Sequence, residues 1–168
     1  MNVFPLTERY YDAYHNFLQR HPTSLFYHSL RYRSLLGRLL PGEPRYLIAR
    51  HERSLCGILP LMETTDVRGS IINSLPFFGS NGGMFASDGE AKSHLIHSYN
   101  EIASAATTRA ATFIENPFDD YDYGGISATT EDERIVQYTD LSSRDADEDH
   151  LMQRYSGSGR RNIRKARR

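Results

Sequence analysis

Apolar residues recur at helical spacing in the first quarter of the chain. Tyr10, Tyr14, Phe17 and Leu18 share one helix face. Thr7, followed by Glu8-Arg9, is the N-cap this helix expects, and His21-Pro22 ends it. Ser29 caps a second expected helix whose apolar side is Leu30, Leu35, Leu36, Leu39 and Leu40, with Pro41-Gly42 as its stop. The run from Val3 to Leu6, ahead of both, predicts an edge strand, since Pro5 has no N–H to give a central ladder.

The period then shifts to that of strands. Tyr46 to Ala49 and Leu55 to Leu61, separated by the polar His51 to Ser54, predict an antiparallel hairpin. Ser70 to Leu75 predicts a third strand, followed by a loop from Pro76 to Met84. Ser87-Asp88 caps a long helix reaching about Thr108, with Ala91, Leu95, Ile96, Tyr99, Ile102 and Ala105 inward. Ala110 to Ile114 and Ile135 to Leu141 predict two more strands around an exposed acidic loop from Phe118 to Thr130. Asp145 to Tyr155 predicts a helix with an acidic first turn, broken by Gly157-Ser158-Gly159 before a basic segment. Early helices, a mostly antiparallel sheet and a later helix define an α+β layered class. This order of elements resembles that of the GNAT acyltransferases.

Composition narrows the picture. A chain of 168 residues, 39% hydrophobic and 24% charged, fits one soluble globular domain with a sizeable core. No apolar run approaches the ~20 residues that span a bilayer, and the first residues lack the pattern of a signal peptide. Cys56 stands alone among apolar neighbours, which points to a buried structural thiol in a reducing, cytoplasmic compartment. The net charge of −1 conceals an asymmetry: residues 151–168 carry seven Lys/Arg and no acid. A basic end on an acidic body fits either a solvated helix face or a nucleic-acid or phosphate partner.

The loop from Pro76 to Gly83 holds three glycines with Ser80 and Asn81, and Phe77 and Phe78 stand at its entrance. Backbone N–H groups in such a turn can hold a phosphate or carboxylate, although a plain strand-to-helix turn has the same composition. It lacks the lysine and the spacing of a nucleotide-binding loop, which argues against ATP or GTP. Arg154 to Gly159 fits R-x-x-G-x-G, the pattern that cradles the pyrophosphate of acetyl-CoA in GNAT enzymes. Here it follows a helix rather than a strand, and a helix stop followed by a new helix accounts for it better. No resident cofactor is therefore assigned. His94 and His97 share a helix face but lack further ligands, so no metal is expected. Asp119, Asp120 and Asp122 do not have EF-hand spacing. No nucleophile elbow or Ser/His/Asp order is present, and no catalytic residue is singled out.

Four phrases in order carry a family resemblance. Leu25-Phe26-Tyr27-His28-Ser29-Leu30-Arg31-Tyr32 resembles the F-x-H-S-x-x-W phrase of FemAB-like proteins, with Tyr32 in place of Trp. Pro44 to Ala49 with Gly57 to Leu61 resembles their first hairpin, and Ser74 to Gly79 with Gly82-Gly83 their substrate-side loop. Arg160-Arg161-Asn162-Ile163-Arg164-Lys165-Ala166 resembles the basic phrase joining their two halves.

The resemblance implies two tandem GNAT-like domains, of which 1–156 is the first and 157–168 the junction to a second domain beyond this chain. It implies acyl or aminoacyl transfer, from acetyl-CoA or aminoacyl-tRNA as donor, to a cell-envelope or peptidoglycan-type acceptor. It places Tyr32, Phe78, Gly79, Ser80, Asn81, Gly82 and Gly83 toward the acceptor. Arg160, Arg161 and Lys165 would meet phosphate of an anionic acceptor or donor. Two other readings stay open: a non-catalytic module binding RNA or another anionic polymer through the basic segment, and an acetyl-CoA-dependent N-acetyltransferase.

Overall fold

One hairpin organises the molecule. In the computed structural model, which describes residues 1–74, 81–118, 123–133, 135 and 147–167, strand β3 (Leu47–His51) pairs antiparallel with β4 (Ser54–Leu59). The turn places Glu52 at φ 51, in the left-handed region. Strand β1 (Asn2–Pro5) adds to the outer side of β3, so Pro5 lies on an edge as its missing N–H requires.

The hairpin does not stop at Pro60. Its first arm begins with a short β2 (Glu43–Pro44) and its second continues as β5 (Met62–Asp66), paired antiparallel. Between them Arg45 N–H donates to the Leu61 carbonyl at 2.8 Å, carrying the ladder across the bend. A tight turn then leads into β6 (Gly69–Asn73), antiparallel to β5. β7 (Phe85–Ala86) returns to β4, and β8 (Thr108–Thr112) lies parallel to β6. The result is two four-stranded halves, ordered β1-β3-β4-β7 and β2-β5-β6-β8.

Alternation along the strands makes two cores. Ile48, Ile58 and Phe85 face α1 (Tyr11–Arg20) and α2 (Leu30–Leu39), burying Tyr14, Phe17, Tyr32 and Leu36. Leu47, Ala49 and Leu59 face the other way, against Ala91, Leu95, Ile96 and Tyr99 of α3 (Gly89–Ser104). A Cβ at Gly57 would come within 2.8 Å of Leu95 Cδ1, so the approach of α3 to β4 depends on that glycine. Among the described residues the layer is an α+β fold: an antiparallel sheet with one parallel pairing across α3 and helices on both faces.

Several expectations shift. The first helix opens with a 3-10 turn, Glu8–Tyr10, and Thr7 makes no side-chain cap bond. Ser29 and Asp88 do cap, accepting from Tyr32 N and Ala91 N. Leu35 and Leu39, expected inward, are exposed; α2 buries Tyr32 and Leu36 instead. The long helix ends at Ser104 rather than Thr108, because Thr108 turns its Oγ1 back to the Ile102 carbonyl at 2.7 Å and starts β8. In the acidic loop, Tyr123 is buried against the α3 core, and Asn100 binds both Gly125 O and Ser127 N. Residues 123–127 are thus anchored, not merely solvated. The expected strand from Ile135 to Leu141 lies, apart from Ile135, outside the described residues, and Ile135 itself is in no strand.

Met1–Glu131 forms one compact unit and Asp132–Arg168 another. In the second, α4 (Glu148–Arg154) is capped by Asp147, whose Oδ1 accepts from His150 N at 2.7 Å. α5 (Gly157–Ala166) follows at once. The glycines expected to break the chain lie inside the first turn of α5. The break falls at Tyr155-Ser156, because the Ser156 hydroxyl takes the N-cap position and accepts from Gly159 N at 3.2 Å.

Candidate functional site

His28 ends a 3-10 turn, Phe26–His28, that leads into α2, and it is fully buried. Its Nδ1 accepts from Leu25 N at 3.2 Å, so the neutral ring carries its proton on Nε2 and donates it to the Gly82 carbonyl at 3.2 Å. The ring meets Phe85 edge-on with centroids 4.4 Å apart. Burial pushes the imidazole pKa down from 6.5 to about 4, and the hydrogen bond to the Gly82 carbonyl opposes that shift without overcoming it. The Tyr14 hydroxyl donates to the His28 carbonyl at 2.7 Å, and burial pushes its own pKa well up.

The glycine loop is therefore held at its C-terminal shoulder. Gly82 and Gly83 are buried, and Asn81 is half-buried. Gly83 has φ 90, and a Cβ there would lie 2.6 Å from Asn116 N. Asn116, itself buried, donates from Nδ2 to Thr23 O at 3.1 Å and accepts at Oδ1 from Phe118 N at 3.1 Å. The other shoulder is held by buried Ser74, whose Oγ accepts from Ile114 N at 2.7 Å. Beside these clamps, Pro22, Thr23, Ser24, Leu25 and Phe118 line an open pocket of about 300 Å³.

The residues expected to face an acceptor are thus placed unevenly. Phe78, Gly79 and Ser80 lie outside the described residues. Gly82 and Gly83 serve as clamped backbone. Tyr32 does not face solvent: it is 4% exposed, and its ring packs T-shaped against Phe26 and Tyr27 at 5.6 and 5.2 Å. The sequence reading missed Asn116, whose only signal was its place between a strand and Pro117.

Arg160, Arg161 and Lys165 all lie on α5. Arg160 Nη1 donates to the Gln153 carbonyl at 3.2 Å, and Arg167 pairs with Glu148. Arg154 to Gly159 follows no strand, and its Gly159 N–H is already taken by Ser156. The acidic cluster Asp119, Asp120 and Asp122 lies outside the described residues. His94 faces Glu90 at 3.8 Å and His97 faces Glu101 at 3.5 Å on exposed turns of α3. Among the described residues no group of three potential metal ligands assembles, and no helix is long and apolar enough to cross a membrane.

The layer is set by its strand order and by the parallel β6–β8 pairing across α3. No known protein family and no curated protein matches the chain in sequence. Among solved structures it is similar to FemX, with 18% identity, a TM-score of 0.47, and coverage of 64% of this chain but only 25% of FemX. It is also similar to the ribosomal-protein-alanine N-acetyltransferase from Brucella melitensis biovar Abortus 2308, at 13% identity and TM-score 0.45, covering 82% of this chain and 100% of that one. A probable acetyltransferase matches at 18% identity and TM-score 0.42, covering 86% of this chain and 100% of that one.

Proposed function

We propose that the chain is the N-terminal part of a FemAB-like acyl or aminoacyl transferase acting on a cell-envelope or peptidoglycan-type acceptor. The observation that carries this reading is the meeting of His28 and Gly82. These residues belong to two phrases on which the family resemblance rests. Their contact gives a physical reason for both to occur in one chain, since the histidine fixes the loop expected to line the acceptor groove. The α+β layer supports the same reading.

Transfer to an amine requires a positioned nucleophile and donors aimed at the developing oxyanion. His28 offers neither, being buried with both ring nitrogens engaged. The reading therefore assigns the chemistry to a complex with a second GNAT-like domain, and α5 to the junction. The test compares the 168-residue chain with a form extended by about 150 downstream residues, one further domain. Multiple-turnover transfer from aminoacyl-tRNA or acetyl-CoA is expected from the extended form alone. Turnover by the chain alone, or by neither form, would count against it.

A second reading is favoured by α5. Arg161, Arg164 and Lys165 are exposed and make no hydrogen bond or ion pair with the described residues, unlike Arg160 and Arg167. Three unneutralised cations on one short helix suit the phosphates of RNA or another anionic polymer. Binding that falls steeply with salt and disappears on deletion of 157–168 would support this reading. Binding that survives the deletion would remove it.

A further inference from the structure

Among the described residues Arg33 is a cation without a counter-anion. It is half-buried on α2, and its Nη1 donates to the Tyr11 hydroxyl at 2.9 Å. Its guanidinium carbon lies 5.7 Å from the ring centroids of both Tyr11 and Tyr46. Its Nε is shut off from solvent and has no hydrogen-bond partner. Among the described residues no carboxylate reaches it: Arg45, by contrast, has Glu63 at 2.9 Å. Guanidinium groups taken out of water are normally paired with an acid. One held only by neutral phenols keeps an unmet demand for negative charge.

The rest of the Arg33 side chain lines an open groove of about 400 Å³ between α2 and β2. The volume lies in the range of small-ligand sites, roughly 300–1,000 Å³. Arg38, exposed about 1.4 turns further along α2, brings a second positive charge, and Ser34 between them brings a hydroxyl. Leu30 and Pro44 supply apolar wall for the carbon body of a ligand. Glu43 is the one acid in the lining, and it pairs with neither arginine among the described residues, so the groove stays net positive. None of the residues meeting at His28 lines it.

We propose that this groove binds a small organic ligand through an oxyanion, a carboxylate or a phosphate group, seated on Arg33 and Arg38. Guanidinium groups match both kinds of oxyanion in geometry, and the apolar wall calls for an attached hydrocarbon body rather than a bare ion. The site stands apart from the transferase reading and survives its failure.

The test is calorimetric titration of the 168-residue chain with phenyl phosphate, benzoate and, as neutral control, benzyl alcohol. Saturable binding of at least one anion, and none of the alcohol, is expected. A preference for phenyl phosphate identifies a phosphate ligand, a preference for benzoate a carboxylate. Ser34→Glu and Arg38→Gln change exposed positions and should leave the far-UV circular dichroism intact. Each should weaken anion binding roughly tenfold or more, the worth of one charge-assisted contact. Arg33→Lys, which keeps the charge but loses the planar fork, should weaken it less than Arg33→Gln. No anion binding at millimolar concentration, equal binding of the alcohol, or full affinity in both Ser34→Glu and Arg38→Gln would overturn the proposal.

Discussion

The imidazole of His28 donates a hydrogen bond to the carbonyl of Gly82, 54 positions later in the chain, at 3.2 Å. A buried neutral ring with both nitrogens used is a rigid strut between the entrance to α2 and the glycine loop. Its protonation would leave a charge in the core and convert Nδ1 from acceptor to donor, facing another N–H.

Acid should therefore loosen this strut. Unfolded His28 takes up a proton near pH 6.5, whereas the folded ring refuses one until about pH 4. The unfolded state binds more protons between those values, so stability is fully present above pH 6.5 and declines as the pH falls toward 4. The full loss from this residue is on the order of 3 kcal/mol. Urea denaturation of the wild type and of His28→Gln across this range should show a smaller acid-induced loss in the variant. Equal losses would show that His28 does not titrate in this way.

Tyr14→Phe should cost about 1–2 kcal/mol, because it leaves the buried His28 carbonyl without the 2.7 Å bond from the hydroxyl. The urea midpoint should fall with the slope unchanged. A variant as stable as the wild type would show that the carbonyl finds another donor.

Two glycine substitutions should part company. Gly83→Ala places a Cβ 2.6 Å from Asn116 N at φ 90 and should destabilise by roughly 2 kcal/mol or more. Gly89→Ala, at the start of α3 with nothing within 4 Å, should be neutral or stabilise by a few tenths up to about 1 kcal/mol. Thermal melts of the pair decide it, and a tolerated Gly83→Ala would mean the 82–84 backbone can move.

If α5 contacts RNA, its unpaired cations should set the salt dependence. Replacing both Arg161 and Lys165 with Gln should reduce the slope of log K against log salt by roughly 1.4 on a single strand. Arg167→Gln, which breaks the Glu148 pair, removes a less available charge and should change the slope less. Equal slopes for wild type and double variant would separate α5 from the RNA.

Much of the layer was legible because its signals are local. Ser29 and Asp88 are caps by residue type, and the unbroken apolar run Leu47-Ile48-Ala49 marks a strand buried on both faces. The continuation into β5 was not legible. Met62-Glu63-Thr64-Thr65-Asp66 is polar, follows a proline, and becomes a strand through its partners on both sides, β2 and β6. The burial of Tyr123 was hidden for a similar reason, since its neighbours in sequence are acidic and glycine-rich while its neighbours in space lie on and beside α3. For the candidate site, the phrase around His28 and the glycine loop could each be found in the sequence. Their contact could not, nor could Asn116, because both depend on tertiary closure. The Arg33 groove left no motif, since it consists of a missing counter-charge and not of any residue pattern.

The parallel pairing of β6 with β8, Ser70 against Thr108 and Asn73 against Thr112, bears on how the chain assembles. The antiparallel arms form by short-range zipping, but this pair must wait for the whole α3 crossover to dock. The β6–β8 pairing is thus expected to consolidate after the β3–β4 hairpin. Pulse-labelling hydrogen exchange should find amides of the β3–β4 hairpin protected before those of β8. Until that pairing forms, the edge of β6 would be open to misassociation during synthesis.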